Sequence, residues 1–280
     1  MAEITSDLIV KLRQLTNAGM MDCKRALVET QGDLTAAVDV LRKRGQATAA
    51  KKALREAREG IIVQHLLPGS RAGVLVEVNC ETDFVAKNES FRAFCDSVAR
   101  SLASDPPADV EAARVEQVAK TGENIRVARH QRLEVAGNGI IAAYIHTGSK
   151  IGVLVEVSAG QPATVEQEAF KQLVRDLTLQ VAAASPIAVS RDRVDPALVA
   201  KEREIGAEQV KNKPPQAMAK IVEGKLEKFF QTVCLLDQGF VKKNSEITVR
   251  EHLAQVAKQL GDEVGIQRFV RYQVGEVPAA

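Results

Sequence analysis

Apolar residues near the amino end recur at helical spacing in three short stretches separated by glycines. Leu8, Leu12 and Leu15 form one stripe behind the capping residues Thr5-Ser6-Asp7. Gly19 ends that stretch, Asp22 opens a second helix carrying Cys23, Ala26 and Leu27, and Gly32 stops it. Asp33 then caps a third helix through Leu34, Ala37, Val38 and Leu41, with Gly45 as its stop. Residues 1–45 therefore read as a compact three-helix module near the size limit for independent folding. Residues 46–59 are Ala-rich and charged, which predicts a solvated linking helix.

Beyond residue 59 the period changes. Ile61–Leu67 and Val74–Val78 predict two strands joined at Pro68-Gly69-Ser70. From Asp83 to Ala103 the positions Phe91, Phe94, Cys95, Val98 and Leu102 predict a helix with one buried face, ended by Asp105-Pro106-Pro107. Residues 108–136 hold at least one further helix. The segment 60–103 then returns at 139–182. An ungapped offset of 79 lays Gly60-Ile61-Ile62 on Gly139-Ile140-Ile141, and GVLVEV (73–78) on an identical GVLVEV (152–157). Fourteen of forty-four positions match, where unrelated chains would share roughly three. The repeated unit is β-β-α, and two such halves predict an α+β core.

Asp195-Pro196 is a helix start with Pro at the first helical position, followed by a sparse stripe of Leu198, Ile205 and Val210. Lys213-Pro214-Pro215 interrupts, and a second helix carries Met218, Ile221, Val222, Leu226, Phe229 and Phe230. This predicts an antiparallel helical hairpin standing out from the core. A capping box at Thr248 and Glu251, a helix through Leu253, Val256 and Leu260, and a strand over Ile266–Val274 complete the chain. The expected division is 1–45, 46–59, 60–137 as core half one, 138–184 with 234–280 as core half two, and 185–233 as the hairpin.

Composition excludes several classes. The 280 residues are 45% hydrophobic and 26% charged with net charge +2, ordinary values for a soluble protein. No apolar run is long enough to span a membrane, and Met1–Asp7 is too polar for a signal peptide, so a cytosolic protein is expected. Near-neutral charge, two tyrosines and no tryptophan argue against a dedicated nucleic-acid binder. The cysteines (23, 80, 95 and 234) and histidines (65, 130, 146 and 252) lack metal-ligand spacing, and buried reduced thiols are expected. There is no GxxxxGK[ST] and no GxSxG. Gly137-Asn138-Gly139 with Ala142 fits a loose dinucleotide fingerprint but leads into a strand where that fingerprint must open a helix. No cofactor, metal or catalytic residue is expected.

What remains is the place where the two copies disagree. Glu81-Thr82-Asp83-Phe84-Val85-Ala86-Lys87-Asn88 faces GQPATVEQ (160–167) without one match. A folded copy that lacks the octapeptide indicates that the fold does not require it, which leaves function as its reason. Two readings of Phe84 stay open. It lies seven residues before Phe91 and could share the buried stripe, with Asp83 as a cap, or it could be an exposed contact. For Met20-Met21, one methionine is expected in the core, and the loop is a candidate contact surface. Beside a role resting on the octapeptide, two function classes are weighed: an adaptor built on the first 45 residues, or an enzyme whose pocket gathers the histidines or Cys80.

The segments Leu12-Arg13 through Ala18-Gly19-Met20-Met21-Asp22-Cys23-Lys24-Arg25-Ala26-Leu27, Glu77-Val78-Asn79-Cys80 followed by the octapeptide, Ile221-Val222-Glu223-Gly224-Lys225, and Gly275-Glu276 resemble the elongation factor Ts family. The likeness runs along nearly the whole chain in the family's order. It implies a ubiquitin-associated-like three-helix module, a core of two related halves and a helical hairpin. It also implies a guanine-nucleotide exchange factor of elongation factor Tu, bound in its GDP and nucleotide-free forms, with no nucleotide site of its own. In that family Thr82, Asp83, Phe84 and Val85 would intrude beside the partner's nucleotide site and dislodge its magnesium. Met20, Met21 and Asn88 are the secondary contact candidates. Some members carry a further C-terminal helical module; this sequence ends at Pro278-Ala279-Ala280, so that contact is expected to be absent.

Overall fold

A computed structural model describes residues 4–16, 18–104 and 106–276. Pro278-Ala279-Ala280 and Asp105 of the expected Asp-Pro-Pro stop lie outside them. Among the described residues the chain forms eleven α-helices and two three-stranded sheets. It packs as two compact units. One holds the N-terminal residues through Val63, Val76–His130 and the residues from Gln273; the other holds Gln64–Leu75 and Gln131–Tyr272.

In the first unit, α1 (Ser6–Thr16), α2 (Met20–Glu29) and α3 (Leu34–Lys52) share a small core of Ile9, Leu12, Cys23, Ala26, Leu27 and Ala37. Asp33 caps α3 by accepting hydrogen bonds from the amides of Thr35 and Ala36, at 2.8 and 3.0 Å. Two expectations fail here. Leu15 is 63% exposed, because the buried stripe of α1 runs through Ile9 and Leu12. Gly45 does not stop the third helix, which continues to Lys52. The following Gln46–Lys52 are mostly strong helix formers, and together they outweigh the cost of about 1 kcal/mol for one interior glycine. There is accordingly no separate linking helix over 46–59.

The repeat is reproduced in the backbone element by element. Strand β1 (Glu59–Leu66) leads through a 3₁₀ turn at Pro68–Ser70 to β2 (Ala72–Cys80), then α4 (Asp83–Lys87) and α5 (Glu89–Ala103). After α6 (Glu111–Thr121) comes β3 (Arg126–Glu134), giving a sheet ordered β1-β2-β3. The second copy runs β4 (Gly139–Ile145), β5 (Ile151–Ala159), α7 (Pro162–Glu166) and α8 (Glu168–Ala184). The bounds of β2, α4 and the start of α5 reappear 79 residues later. The expected single helix over 83–103 is broken at Asn88, whose extended ψ of 132° separates α4 from α5. Gln167 breaks the second copy in the same way with ψ 136°.

The repeated glycines have a steric reason. A Cβ on Gly60 would overlap the Val78 carbonyl, and one on Gly139 would overlap the Val157 carbonyl. Each is a close approach of neighbouring strands that only glycine allows. Gly60→Ala and Gly139→Ala are each expected to lower unfolding stability by about 2–3 kcal/mol, measured by chemical denaturation. A Gly60→Ala protein that unfolds at the wild-type denaturant concentration would contradict this packing.

In the second unit α9 (Pro196–Glu208) and α10 (Pro215–Val233) follow α8, then α11 (Val249–Leu260) and β6 (Val264–Gln273). Strands β4 and β5 pair antiparallel, Gly139 opposite Ser158 and Ile145 opposite Gly152, and β6 completes the order β4-β5-β6. Alternate residues of β5 (Val153, Val155, Val157) meet Phe170, Leu173, Val174 and Leu177 of α8 in the core. α9 and α10 lie against each other, with Gly206 beside Val222 and Lys225. The turn end of the first hairpin belongs to this unit: Arg71 donates to the carbonyls of Val135 (3.2 Å) and Gly137 (2.5 Å). Compactness therefore divides the chain differently from the repeat, cutting β1 and β2 where the repeat keeps them whole.

A second self-match accompanies the first. Gln117-Val118-Ala119-Lys120 on α6 recurs as Gln255-Val256-Ala257-Lys258 on α11. Each helix then ends on a left-handed glycine, Gly122 or Gly261, followed by an acid, Glu123 or Asp262. The duplicated ion pairs follow suit: Glu77 with Arg129 at 2.7 Å and Glu156 with Arg268 at 2.6 Å. The buried glutamates of the two GVLVEV runs are thus satisfied in the same way, as buried charge requires.

Candidate partner-binding site

The octapeptide begins where β2 leaves the core. The Cys80 thiol donates to the Thr82 carbonyl at 3.2 Å, and Ala86 is the buried residue of α4. Thr82 is the N-cap: its hydroxyl oxygen accepts from the Val85 amide at 3.3 Å. The same hydroxyl donates to Glu123 Oε1 at 2.6 Å, while Glu123 Oε2 accepts from the amides of Glu81 (2.9 Å) and Thr82 (3.0 Å). Glu81 in turn accepts from the Asn124 amide at 2.6 Å and lies 3.5 Å from Arg55.

Phe84 on this turn is 81% exposed. The break at Asn88 is the reason it misses the buried stripe: the seven-residue spacing to Phe91 does not run along one continuous helix. Phe91 itself is fully buried. Asp83 does not cap the turn; it pairs with Lys87 at 2.6 Å, and the lysine hydrogen bond holds its carboxyl below the usual range. Val85 is half-buried. A large aromatic left in water forgoes about 1.5–3 kcal/mol of burial, and the second copy has Ala163 at the same place. Asn88 is exposed, and its side chain caps α5 by accepting from the Ser90 amide at 2.8 Å.

Met20 and Met21 open α2 and are 40% and 64% exposed. Neither joins the core, against the expectation for one of them, because Cys23, Ala26 and Leu27 fill the buried face of α2. With Leu15 they leave apolar surface on the three-helix segment. Thr82–Val85 and Asn88 stand on one short stretch, whereas Met20 and Met21 belong to a separate helix packed on α1 and α3.

All four cysteines are buried; burial raises the Cys23 and Cys95 thiols and pushes Cys234 up to about 11. His252 stacks on Phe240 with centroids 4.1 Å apart, and burial lowers its pKa. His146 meets the Tyr144 hydroxyl at 2.9 Å in a cavity of about 380 Å³ that contains no cysteine. Among the described residues no group of three or more His, Cys, Asp or Glu is arranged to hold a metal ion, and no helix is long and apolar enough to cross a membrane.

Glu123 and Asn124 were missed by pattern reading, although the QVAK match followed by Gly-Glu and Gly-Asp was visible in the sequence. With one extra residue in the second copy, Gln259-Leu260 against Thr121, that match places Glu123 at the station of Asp262, which accepts from the Gln161 amide (2.9 Å) and the Thr164 hydroxyl (2.6 Å).

The family model described as Elongation factor TS matches residues 81–276. An Elongation factor Ts of Nitratidesulfovibrio vulgaris is 41% identical over 281 residues, covering 99% of this chain and 98% of that protein. The one from Symbiobacterium thermophilum is 46% identical over 285 residues, covering 99% and 93%. That of Nostoc punctiforme is 40% identical over 295 residues, covering 99% and 94%. With such identity sustained end to end, the chain belongs to the elongation factor Ts family, the translation elongation factors of protein biosynthesis.

Proposed function

We propose that this protein binds elongation factor Tu carrying GDP and promotes release of that GDP and its replacement by GTP. One observation carries the reading: Phe84 is 81% exposed on a turn whose counterpart in the second copy bears Ala163. Thr82-Asp83-Phe84-Val85 then acts as a wedge beside the partner's nucleotide site and displaces magnesium there. The metal is often the largest local charge at a phosphate site, so disturbing its coordination loosens the nucleotide as a whole.

Exchange of this kind breaks no covalent bond and uses no cofactor or nucleotide site of the factor's own. It needs only that the factor bind the nucleotide-free partner better than the nucleotide-bound one. Moving a partner from almost wholly closed to almost wholly open takes about 5.5 kcal/mol of differential binding. An aromatic anchor seated in a pocket supplies about 2–4 kcal/mol, so Phe84 accounts for a large share but not the whole. The remainder is assigned to the N-terminal helices, read as a ubiquitin-associated-like module that docks through Met20 and Met21 on the nucleotide-binding domain. Asn88 adds a flanking contact, and the second core half reaches another domain of the partner. The helical hairpin over 185–233 stands out from the core, and the protein works in the cytoplasm.

The test is release of fluorescent GDP from purified elongation factor Tu. Stoichiometric protein is expected to raise the release rate far above its spontaneous value. A rate left at the spontaneous value ends the proposal.

A further inference from the structure

α4 is five residues long, too short to hold its own direction, since isolated helices below about 12 residues are marginal in water. Its attitude is therefore set by what grips its ends. At the C-terminal end Asn88 turns the chain into α5. At the N-terminal end one carboxylate takes three donors: the amides of Glu81 and Thr82 and the Thr82 hydroxyl, all within 3.0 Å of Glu123. We infer that Glu123 is the positioning residue of the wedge, fixing the direction in which Phe84 leaves the core; this rests on the exchange function proposed above.

The second copy separates what Glu123 does for the fold from what it does for the wedge. Asp262 accepts from the Gln161 amide, as Glu123 does from that of Thr82, but its hydroxyl donor is Thr164 within α7 and not the cap residue, and that turn carries Ala163. The grip itself is thus a device of the fold, present in both copies, and only in the first does it aim an aromatic side chain. The first copy also adds a tie that the second lacks. The Asn124 amide donates to Glu81, and its side-chain nitrogen donates to the Arg55 carbonyl at 2.7 Å. At the matching station Glu263 instead gives its carbonyl to the Gly160 amide at 2.9 Å. The acid and its neighbour therefore bind the base of the wedge to the segment leaving α3. Hydrogen bonds to a charged acceptor are roughly twice as strong as neutral ones.

Four variants of the full-length chain test this: Glu123→Gln, Glu123→Asp, Asp262→Asn and Phe84→Ala. Glutamine keeps the volume but turns one acceptor oxygen into a donor, so the three bonds can no longer all form. In GDP release at saturating factor, Glu123→Gln is expected to be slower by about tenfold, the range for losing bonds to a charged group. Asp262→Asn is expected to stay within about twofold, since additivity holds for independent sites, while its thermal melt falls about as much as that of Glu123→Gln. Glu123→Asp keeps the carboxylate on a stem as short as that of Asp262 and should recover most of the lost rate. Wild-type release by Glu123→Gln alongside a slow Phe84→Ala overturns this inference and leaves the wedge standing. Equal slowing by Glu123→Gln and Asp262→Asn also overturns it, since general loss of folded protein then explains both. Wild-type release by Phe84→Ala removes the wedge itself.

Discussion

Phe84→Ala is expected to slow GDP release from elongation factor Tu at saturating factor by about 100-fold, in line with the 2–4 kcal/mol of a pocketed aromatic anchor. Its thermal melt should move by no more than about 2 °C, because an exposed substitution costs under about 0.5 kcal/mol. Alanine is also the better helix former, by about 0.5 kcal/mol, which favours the short turn of α4 if anything. The backbone already tolerates this residue, since α7 has the same length and bears Ala163. The contrast is Phe91→Ala on the next helix. Phe91 is fully buried, and its loss should cost about 3–5 kcal/mol of stability. A melt and a release rate on the two variants therefore separate a contact from a core residue. A Phe84→Ala protein that melts far below wild type yet exchanges normally would make Phe84 structural.

Deletion of residues 1–45 should weaken binding to elongation factor Tu by about 30-fold or more, the equivalent of losing one anchor of about 2 kcal/mol. The truncated protein should still accelerate release when saturating. The removed residues contain the whole small core of Ile9, Leu12, Cys23, Ala26, Leu27 and Ala37, together with the exposed Leu15, Met20 and Met21. They contain none of the groups that hold the wedge. The cut falls inside α3, but Ala49, buried in the remaining turn, and the bond from Lys52 to the Gly122 carbonyl stay with the truncated chain. So do Ala53 and Arg55, which receive the Asn124 side chain. Binding and release rates measured together decide the matter. Normal affinity would remove the three helices from the docking surface, and loss of release at saturation would place them in the exchange step.

What the sequence determined by itself was everything written in neighbouring residues or in exact repetition. Asp33, Asp195-Pro196 and the Thr248–Glu251 box start helices through contacts two or three residues away, so their chemistry is local and readable. GVLVEV and the two glycines before it declared the duplicated strands, because a repeated close approach demands the same small residue twice. The disagreement between copies pointed at the octapeptide for the same reason. Tertiary structure decided the rest. Periodicity could not choose between a buried and an exposed Phe84, since it assumes one straight helix, and the break at Asn88 removes that assumption. Nor could a glycine rule foresee that α3 runs through Gly45, where the helix formers beyond it prevail. The grip of Glu123 on Thr82 joins residues 41 apart. A bond of that span has no local signature; it exists only because α6 ends, on its left-handed glycine, beside the first turn of α4.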